Sequence, residues 1–245
     1  MLDLTTGLVI SIAVFAGAFV SGLAGFAFSA VAGAILLRIF PPQEAVPLMM
    51  VCSVVIQITN LWALRQNIQW SGSIPLIVGG IFGIPIAVHL LQNTETHSLR
   101  LGFGVVVTLY AAYMLLRRPI AQAGLNVANK YTVALIGFGG GLVGGLTAMP
   151  GAVPTIWCDM RGMSKGGQRG LVQPFIAVMQ VYAIILLLGQ QSFSSKIALD
   201  LVVSAPAMFA GTALGIIAFR HVNELAFRKI ILVMLLLSGG ALILA

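Results

Sequence analysis

Along this chain the polar residues act as punctuation between long apolar runs. Charge-free intervals cover residues 4–37, 45–64, 66–94, 101–116, 131–158, 170–195, 201–219 and 230–245. A helix that crosses a bilayer needs about 20 predominantly apolar residues, so the pattern predicts eight hydrophobic helical units. Turn-forming clusters mark their boundaries: Pro41-Pro42, Trp70-Ser71-Gly72, Asn93-Thr94, Arg117-Arg118-Pro119, Gly162 to Gly167 and Gln190-Gln191-Ser192. Proline, glycine and short polar side chains favour chain reversal at such places.

The first and fifth units are interrupted by glycine. One reads Ser21-Gly22-Leu23-Ala24-Gly25-Phe26-Ala27-Phe28-Ser29; the other runs from Gly139 to Pro154 and contains Gly144-Gly145-Leu146-Thr147-Ala148-Met149-Pro150-Gly151. The interruptions correspond. Val20-Ser21-Gly22-Leu23 matches Val143-Gly144-Gly145-Leu146 at an offset of 123, and Gln57 matches Gln180 at the same offset. Further along the offset becomes 128, where Gly83, Ala87, Leu99 and Arg100 fall on Gly211, Gly215, Phe227 and Arg228. A broken unit followed by three helices, twice over, is the long period that marks an internal repeat. The expected organisation is an N-terminal transmembrane repeat over 1–118, an inter-repeat loop over 119–130 and a C-terminal transmembrane repeat over 131–245.

If each broken unit crosses the membrane, the halves are parallel and the Lys and Arg residues divide 8 to 5 between the two sides. If each turns back as a re-entrant hairpin, the halves are inverted and the division becomes 10 to 3, with Arg38, Arg100 and Lys196 in the minority. The positive-inside rule favours the lopsided count and makes the ten-base side cytoplasmic. The second broken unit also divides into two arms of about 13 residues, too short to span at 1.5 Å per residue. The expected fold is therefore an all-α polytopic membrane protein of two homologous halves, arranged as inverted repeats, each a glycine-broken re-entrant helix followed by three transmembrane helices.

Composition removes the alternatives. Of 245 residues, 59% are hydrophobic and 8% charged, against roughly a quarter charged in a soluble domain, so the chain cannot clothe a water-facing surface. The net charge of +7 would suggest a nucleic-acid partner in a soluble protein; here the bases sit at the ends of apolar runs, where they orient helices. Cys52 and Cys158 have no CxxC partner or spaced histidine, so no metal site or disulfide framework is expected. The N-terminus lacks the basic region of a cleavable signal peptide, and the first apolar run is expected in the mature protein.

Non-helical backbone at membrane depth survives only when buried in protein or lining a watery cavity. Two matched breaks therefore predict a shared cavity, and discontinuous helices at corresponding places in two halves point to a transporter binding site. The competing reading is close helix packing, which is assigned to the pairs Gly79/Gly83 and Gly211/Gly215. The arm leaving each break begins a helix whose free N–H groups and positive dipole end suit an anion, with Pro150 placed in the first turn. No Lys or Arg falls inside the charge-free stretches, so a buried cationic clamp is not expected, and neutral donors should hold the anion. The candidate substrate-binding residues are Gly22, Gly25, Phe26, Gln57, Gly145, Thr147, Pro150, Gly151 and Gln180. A mid-membrane glutamine can also simply tie two helices together. His89 and Asp200 are read as interfacial, with a proton relay as the alternative, and the stretch from Arg161 to Arg169 as a basic cytoplasmic loop that sets topology, with anion gathering at a pore mouth as the alternative.

No HExxH, GxSxG or P-loop occurs, so enzyme chemistry and ATP hydrolysis find no support. No cofactor is expected. Secondary or passive transport remains, with a coupling ion, H+ or Na+, and the oligomeric state left open; a non-transporting membrane scaffold or assembly factor is the alternative.

The glycine-rich breaks Gly22-Leu23-Ala24-Gly25-Phe26 and Gly144-Gly145-Leu146-Thr147-Ala148-Met149-Pro150-Gly151, each opening one of two related halves, resemble the sulfite exporter TauE/SafE family of anion transporters. Where members often carry a proline after the first glycine cluster, this chain has Phe28-Ser29-Ala30-Val31. The resemblance implies movement of sulfite, organosulfonates or related sulfur-containing anions across the bacterial inner membrane.

Overall fold

A computed structural model describes residues 4–25, 27–63, 65–93, 96–116, 129–189 and 195–243. The described residues are almost wholly helical: α1 (Leu4–Ala24), α2 (Phe28–Ile39), α3 (Pro42–Ala63), α4 (Trp70–Asn93), α5 (Thr96–Leu116), α6 (Lys130–Thr147), α7 (Ala152–Met160), α8 (Lys165–Gly189), α9 (Ser195–His221) and α10 (Glu224–Ile243), with a short 3-10 turn at Arg65–Asn67. Five of these helices contain stretches long and apolar enough to cross a membrane: Thr6–Ala24, Glu44–Ala63, Trp70–Leu90, Lys165–Leu187 and Leu199–His221. Large apolar side chains such as Ile12, Trp62, Leu109, Leu135 and Val202 are exposed on the outer faces of the helices. Water would penalise that surface and lipid does not, so the protein is an integral membrane protein. Most of the inter-repeat loop expected at 119–130 lies outside the described residues.

Both broken units fold back on themselves. Gly17 of α1 lies against Phe28 and Ala32 of α2, so α2 returns alongside α1. Gly140 and Gly144 of α6 lie against Pro150, and Gly139 against Val153, so α7 returns alongside α6. At 1.5 Å per residue the 12-residue α2 and 9-residue α7 are about 18 and 14 Å long, roughly half of a hydrocarbon core about 30 Å thick. The expected arms of about 13 residues are corrected to 18 for α6 and 9 for α7. The shift has a packing cause: Gly141 and Gly145 stay helical because they let α6 approach Gly80 and Ala87 of α4.

Four long helices form two glycine-lined pairs. In one, Gly79 and Gly83 of α4 lie against Ala134 and Phe138 of α6, and Ala87 against Gly145, so the two helices run in the same direction. In the other, Gly7, Phe15 and Gly22 of α1 lie against Val203, Gly211 and Gly215 of α9, again in the same direction. A Cβ at Gly211 would stand 2.5 Å from Phe15 O, and one at Gly22 2.6 Å from Thr212 O. These are backbone-to-backbone approaches of the small-residue kind that drives helix association in lipid. By contrast α5 and α10 are antiparallel, with Gly104 against Ile243 and Thr108 against Gly239. Gly22 and Gly145, expected among the binding residues for their backbone freedom, are helical and serve these contacts.

The end of α3, the start of α4 and the start of α8 meet at one face, tied by Gln69 N–H to Gly170 O (3.0 Å) and Ser73 Oγ–H to Leu171 O (2.7 Å). Trp62, Trp70 and Tyr131 are exposed at this end, as aromatic side chains are at a membrane–water interface. Arg65 and Arg161 stack on Trp62 and Trp157 here, at 5.2 and 4.7 Å. The stretch from Arg161 to Arg169 is a loop only in part. Gly162, at φ +66, reverses the chain after α7, and α8 has begun by Lys165. The Lys165 ammonium donates to Phe219 O and Val222 O at 3.4 and 2.9 Å; it thereby caps the C-terminal end of α9, where a cation meets the negative pole of the helix.

Candidate functional site

The two chain reversals share one geometry. After α1, Gly25 adopts φ +91 and its N–H donates to Ser21 O at 2.7 Å; after α6, Ala148 adopts φ +57 and its N–H donates to Gly144 O at 2.8 Å. A left-handed residue closing a helix in this way is a common C-terminal cap. Glycine takes that conformation without steric cost, whereas an alanine there carries a strain of roughly 1–2 kcal/mol. The reversals are 123 residues apart.

Each reversal leaves a carbonyl that lipid could not satisfy, and a buried glutamine reaches it. Gln57 Nε2 of α3 donates to Gly25 O at 2.8 Å, and Gln180 Nε2 of α8 donates to Ala148 O at 3.2 Å. Both glutamines are at most 2% exposed, and the Oε1 of each has no hydrogen-bond partner. Ala148 O accepts a second bond from Ser29 Oγ of α2 at 2.8 Å, which joins the first hairpin to the tip of the second. Thus the glutamines do bind across helices, with their donors turned to the breaks.

The first reversal is also bordered by charge. Arg169 of α8 is 3% exposed, contrary to the expectation that no buried base would be found. Its NH1 donates to Leu23 O at 3.5 Å and its NH2 to Asn60 Oδ1 at 3.3 Å, while Asn60 Nδ2 donates to Ser21 O at 3.5 Å. With the Gln173 amide oxygen turned towards it, that oxygen accepts from NH2 at 2.9 Å and Nε at 3.3 Å; amide orientation is assigned by such networks. The Phe219 ring covers the guanidinium at 4.2 Å. A small cavity lies beside it, lined by Gly25, Thr155, Gln168, Arg169 and Gln173 among others, and the Thr155 hydroxyl is buried without a partner.

The structure brings Gly25, Gln57 and Gln180 to the reversals together with Ala148. Phe26 lies outside the described residues, and nothing is described of the Thr147 side chain. Pro150 and Gly151 form the turn ahead of α7, and it is Pro154, not Pro150, that occupies the first turn of the helix. Gly151 has φ −72, which any residue can adopt. His89 is exposed on α4, and Asp200 is buried on α9 at 3% exposure. Sequence reasoning missed Ser29, Thr155 and Gln173, and it placed Arg169 in a basic loop rather than in the buried helix where it lies. One signal was available: Arg169, Gln173 and Gln180 are spaced by four and seven residues, a polar stripe on one face of an otherwise apolar helix.

The sulfite exporter TauE/SafE family model matches residues 9–242, nearly the whole chain and both broken units. The chain belongs to the sulfite exporter TauE/SafE family. TauE/SafE proteins are membrane transporters of anions, so a small anionic substrate and the lipid bilayer are the partners of this one. No curated protein and no solved structure matches the chain. Within the TauE/SafE match fall both reversals, both glutamines and Arg169.

Proposed function

We propose that the protein is a secondary transporter that carries a small anion, sulfite or an organosulfonate or a related sulfur-containing anion, across the bacterial inner membrane. The observation that carries the reading is the meeting of two left-handed chain reversals deep among packed helices, each carbonyl held by an amide and the two hairpins joined by Ser29. Irregular backbone at such depth has a physical reason to exist where it borders a substrate path. The binding site is the region between the tips, and the helix start at Phe28 contributes free N–H groups to it, whereas at α7 the Ala152 and Thr155 N–H groups already donate to Met149 O and Gly151 O.

The two halves, 1–118 and 131–245, form an inverted repeat. The same-direction pairing of α1 with α9 and α4 with α6, the antiparallel pairing of α5 with α10, and the folding back of both hairpins support this arrangement. Cys52 and Cys158 are both fully buried and should be silent to an impermeant thiol reagent. Single cysteines placed at 124 and 166 should therefore report cleanly, labelling from the same side of the membrane; opposite sides would sink the inverted repeat.

Flux measured in proteoliposomes tests the function directly. Radiolabelled sulfite, sulfoacetate and thiosulfate should cross only in vesicles that contain the protein, and collapse of an imposed H+ or Na+ gradient identifies a coupling ion. Correctly folded protein that moves none of these anions would leave the membrane scaffold as the reading.

A further inference from the structure

Arg169 is the only buried basic side chain among the described residues, and every partner it has is neutral: the Leu23 carbonyl, the Asn60 and Gln173 amides and the Phe219 ring. A guanidinium stays ionised in a protein, and a buried charge held by neutral groups alone lacks the counter-charge that makes burial tolerable. The guanidinium also has two distinct edges. One, NH1 with part of NH2, is fastened to α1 through Leu23 O and to α3 through Asn60, which fixes the plane of the group. The other, the Nε and NH2 pair, meets a single acceptor, Gln173 Oε1, at 3.3 and 2.9 Å, and its Nε lies next to Gly25, which lines the cavity together with Arg169 and Gln173.

That second edge is the parallel pair of N–H donors that can donate to two oxygens of one oxyanion, and a charged acceptor there binds roughly twice as strongly as a neutral one. Thr155 lines the same cavity with a buried hydroxyl that has no hydrogen-bond partner. We propose that the Nε–NH2 edge of Arg169 and the Thr155 hydroxyl form the oxyanion subsite of the transport path, and that Gln173 Oε1 holds the place of the ligand's oxygens while the subsite is empty. The inference rests on the anion-transport reading and adds to it the charge that recognises the substrate. The free space in the cavity is about that of one water molecule, so the ligand enters as the Gln173 amide swings away. The ligand class follows from the fork: a sulfite, sulfonate or carboxylate group offers one oxygen to each donor, whereas a single acceptor atom, such as Gln173 Oε1 or chloride, is shared between the two.

Isothermal titration of detergent-purified, delipidated protein with sodium sulfite and sodium methanesulfonate, against sodium chloride, tests this. The wild type should bind both oxyanions and prefer them to chloride. Arg169→Gln should weaken oxyanion binding at least tenfold. Arg169→Lys, which keeps the charge without the fork, should weaken it several-fold and erase the preference over chloride. Gln173→Ala removes the competitor and should tighten binding several-fold, a gain that a merely structural arginine would not produce. Should Arg169→Gln fail to fold, the Lys and Gln173→Ala variants decide. Wild-type protein that neither binds nor moves these anions overturns the transport reading and this inference with it. Wild-type binding that Arg169→Lys and Gln173→Ala leave unchanged overturns the Arg169 assignment alone.

Discussion

The two chain reversals have the same backbone and different surroundings. At Gly25 and at Ala148 a left-handed residue closes a helix, a hairpin turns back and a glutamine 32 residues further on holds the carbonyl. Around Gly25 stand Arg169, Gln173, Asn60 and Thr155. At the positions 123 residues away from these four, the chain has Val46, Met50, Ala183 and Ala32, all buried and apolar. Architecture is thus shared between the two tips while polarity is concentrated at one. The backbone solution, a capped reversal with a satisfied carbonyl, is a requirement of membrane burial and applies equally to both. Charge is costly in the same environment, and among the described residues only the tip at Gly25 has a buried base beside it.

The comparison is broken most severely by attacking the seams that support the tips. Gly22→Val and Gly145→Val would drive side chains into Thr212 O and Ala87 Cβ, which lie 2.6 and 2.5 Å from where the new Cβ atoms would stand. Overpacking of this kind costs about 1–3 kcal/mol and occasionally more. Both variants should give little monodisperse protein on size exclusion, equally for the two tips. Gly25→Val is expected to differ. Its Cβ meets the far end of Arg169 at 3.0 Å, and its φ of +91 disfavours any β-branched residue. The protein should fold with a lowered Tm and lose anion flux in proteoliposomes; flux at the wild-type rate would remove the first tip from the pathway.

Smaller changes sharpen the contrast. Gln57→Leu leaves Gly25 O without its side-chain donor, whereas Gln180→Leu leaves Ala148 O still bonded to Ser29. An orphaned buried acceptor costs roughly 1–3 kcal/mol, so the Gln57 variant should unfold at the lower temperature. Combining Ser29→Ala with Gln180→Leu should destabilise by more than the sum of the single effects, because both side chains serve one oxygen. The smallest effect has the opposite sign. Ala148→Gly relieves a left-handed alanine and should raise stability by about 1 kcal/mol, seen as a higher Tm in detergent; an unchanged or lower Tm would mean that the strain is absorbed elsewhere.

What could be read from the pattern of residues divides along similar lines. Apolar runs, glycine-broken units and the Gln57–Gln180 correspondence were legible because each is a local or periodic feature. The glycines were legible in kind but not in role. Gly22 and Gly145 lie beside the breaks, yet contacts with Thr212 and Ala87, far away in the chain, make them packing residues. Arg169 was concealed by its neighbours. Gly166 and Gly167 have poor helix propensity and read as a loop, although they occupy the first turn of α8, where Gly166 meets nothing within 4 Å. The burial of Arg169 depends on Phe219 of α9 and Asn60 of α3, and the polar stripe it forms with Gln173 and Gln180 is the one local sign of it.

The glycine seams also determine which parts of the molecule can move apart. Backbones in direct contact have no side-chain rotamers between them to take up slack, so a seam shifts as a single stiff body. One such body joins α1, from the beginning of the chain, to α9, from near its end; the other joins α4 to α6 across the middle. Each hairpin is therefore anchored to a long helix distant from it in the chain. A rocking motion that exposes the tips first to one side of the membrane and then to the other divides the protein along a boundary that the order of the chain does not follow. Severing the connection between residues 118 and 130 would leave both bodies intact, each stitched from the two fragments.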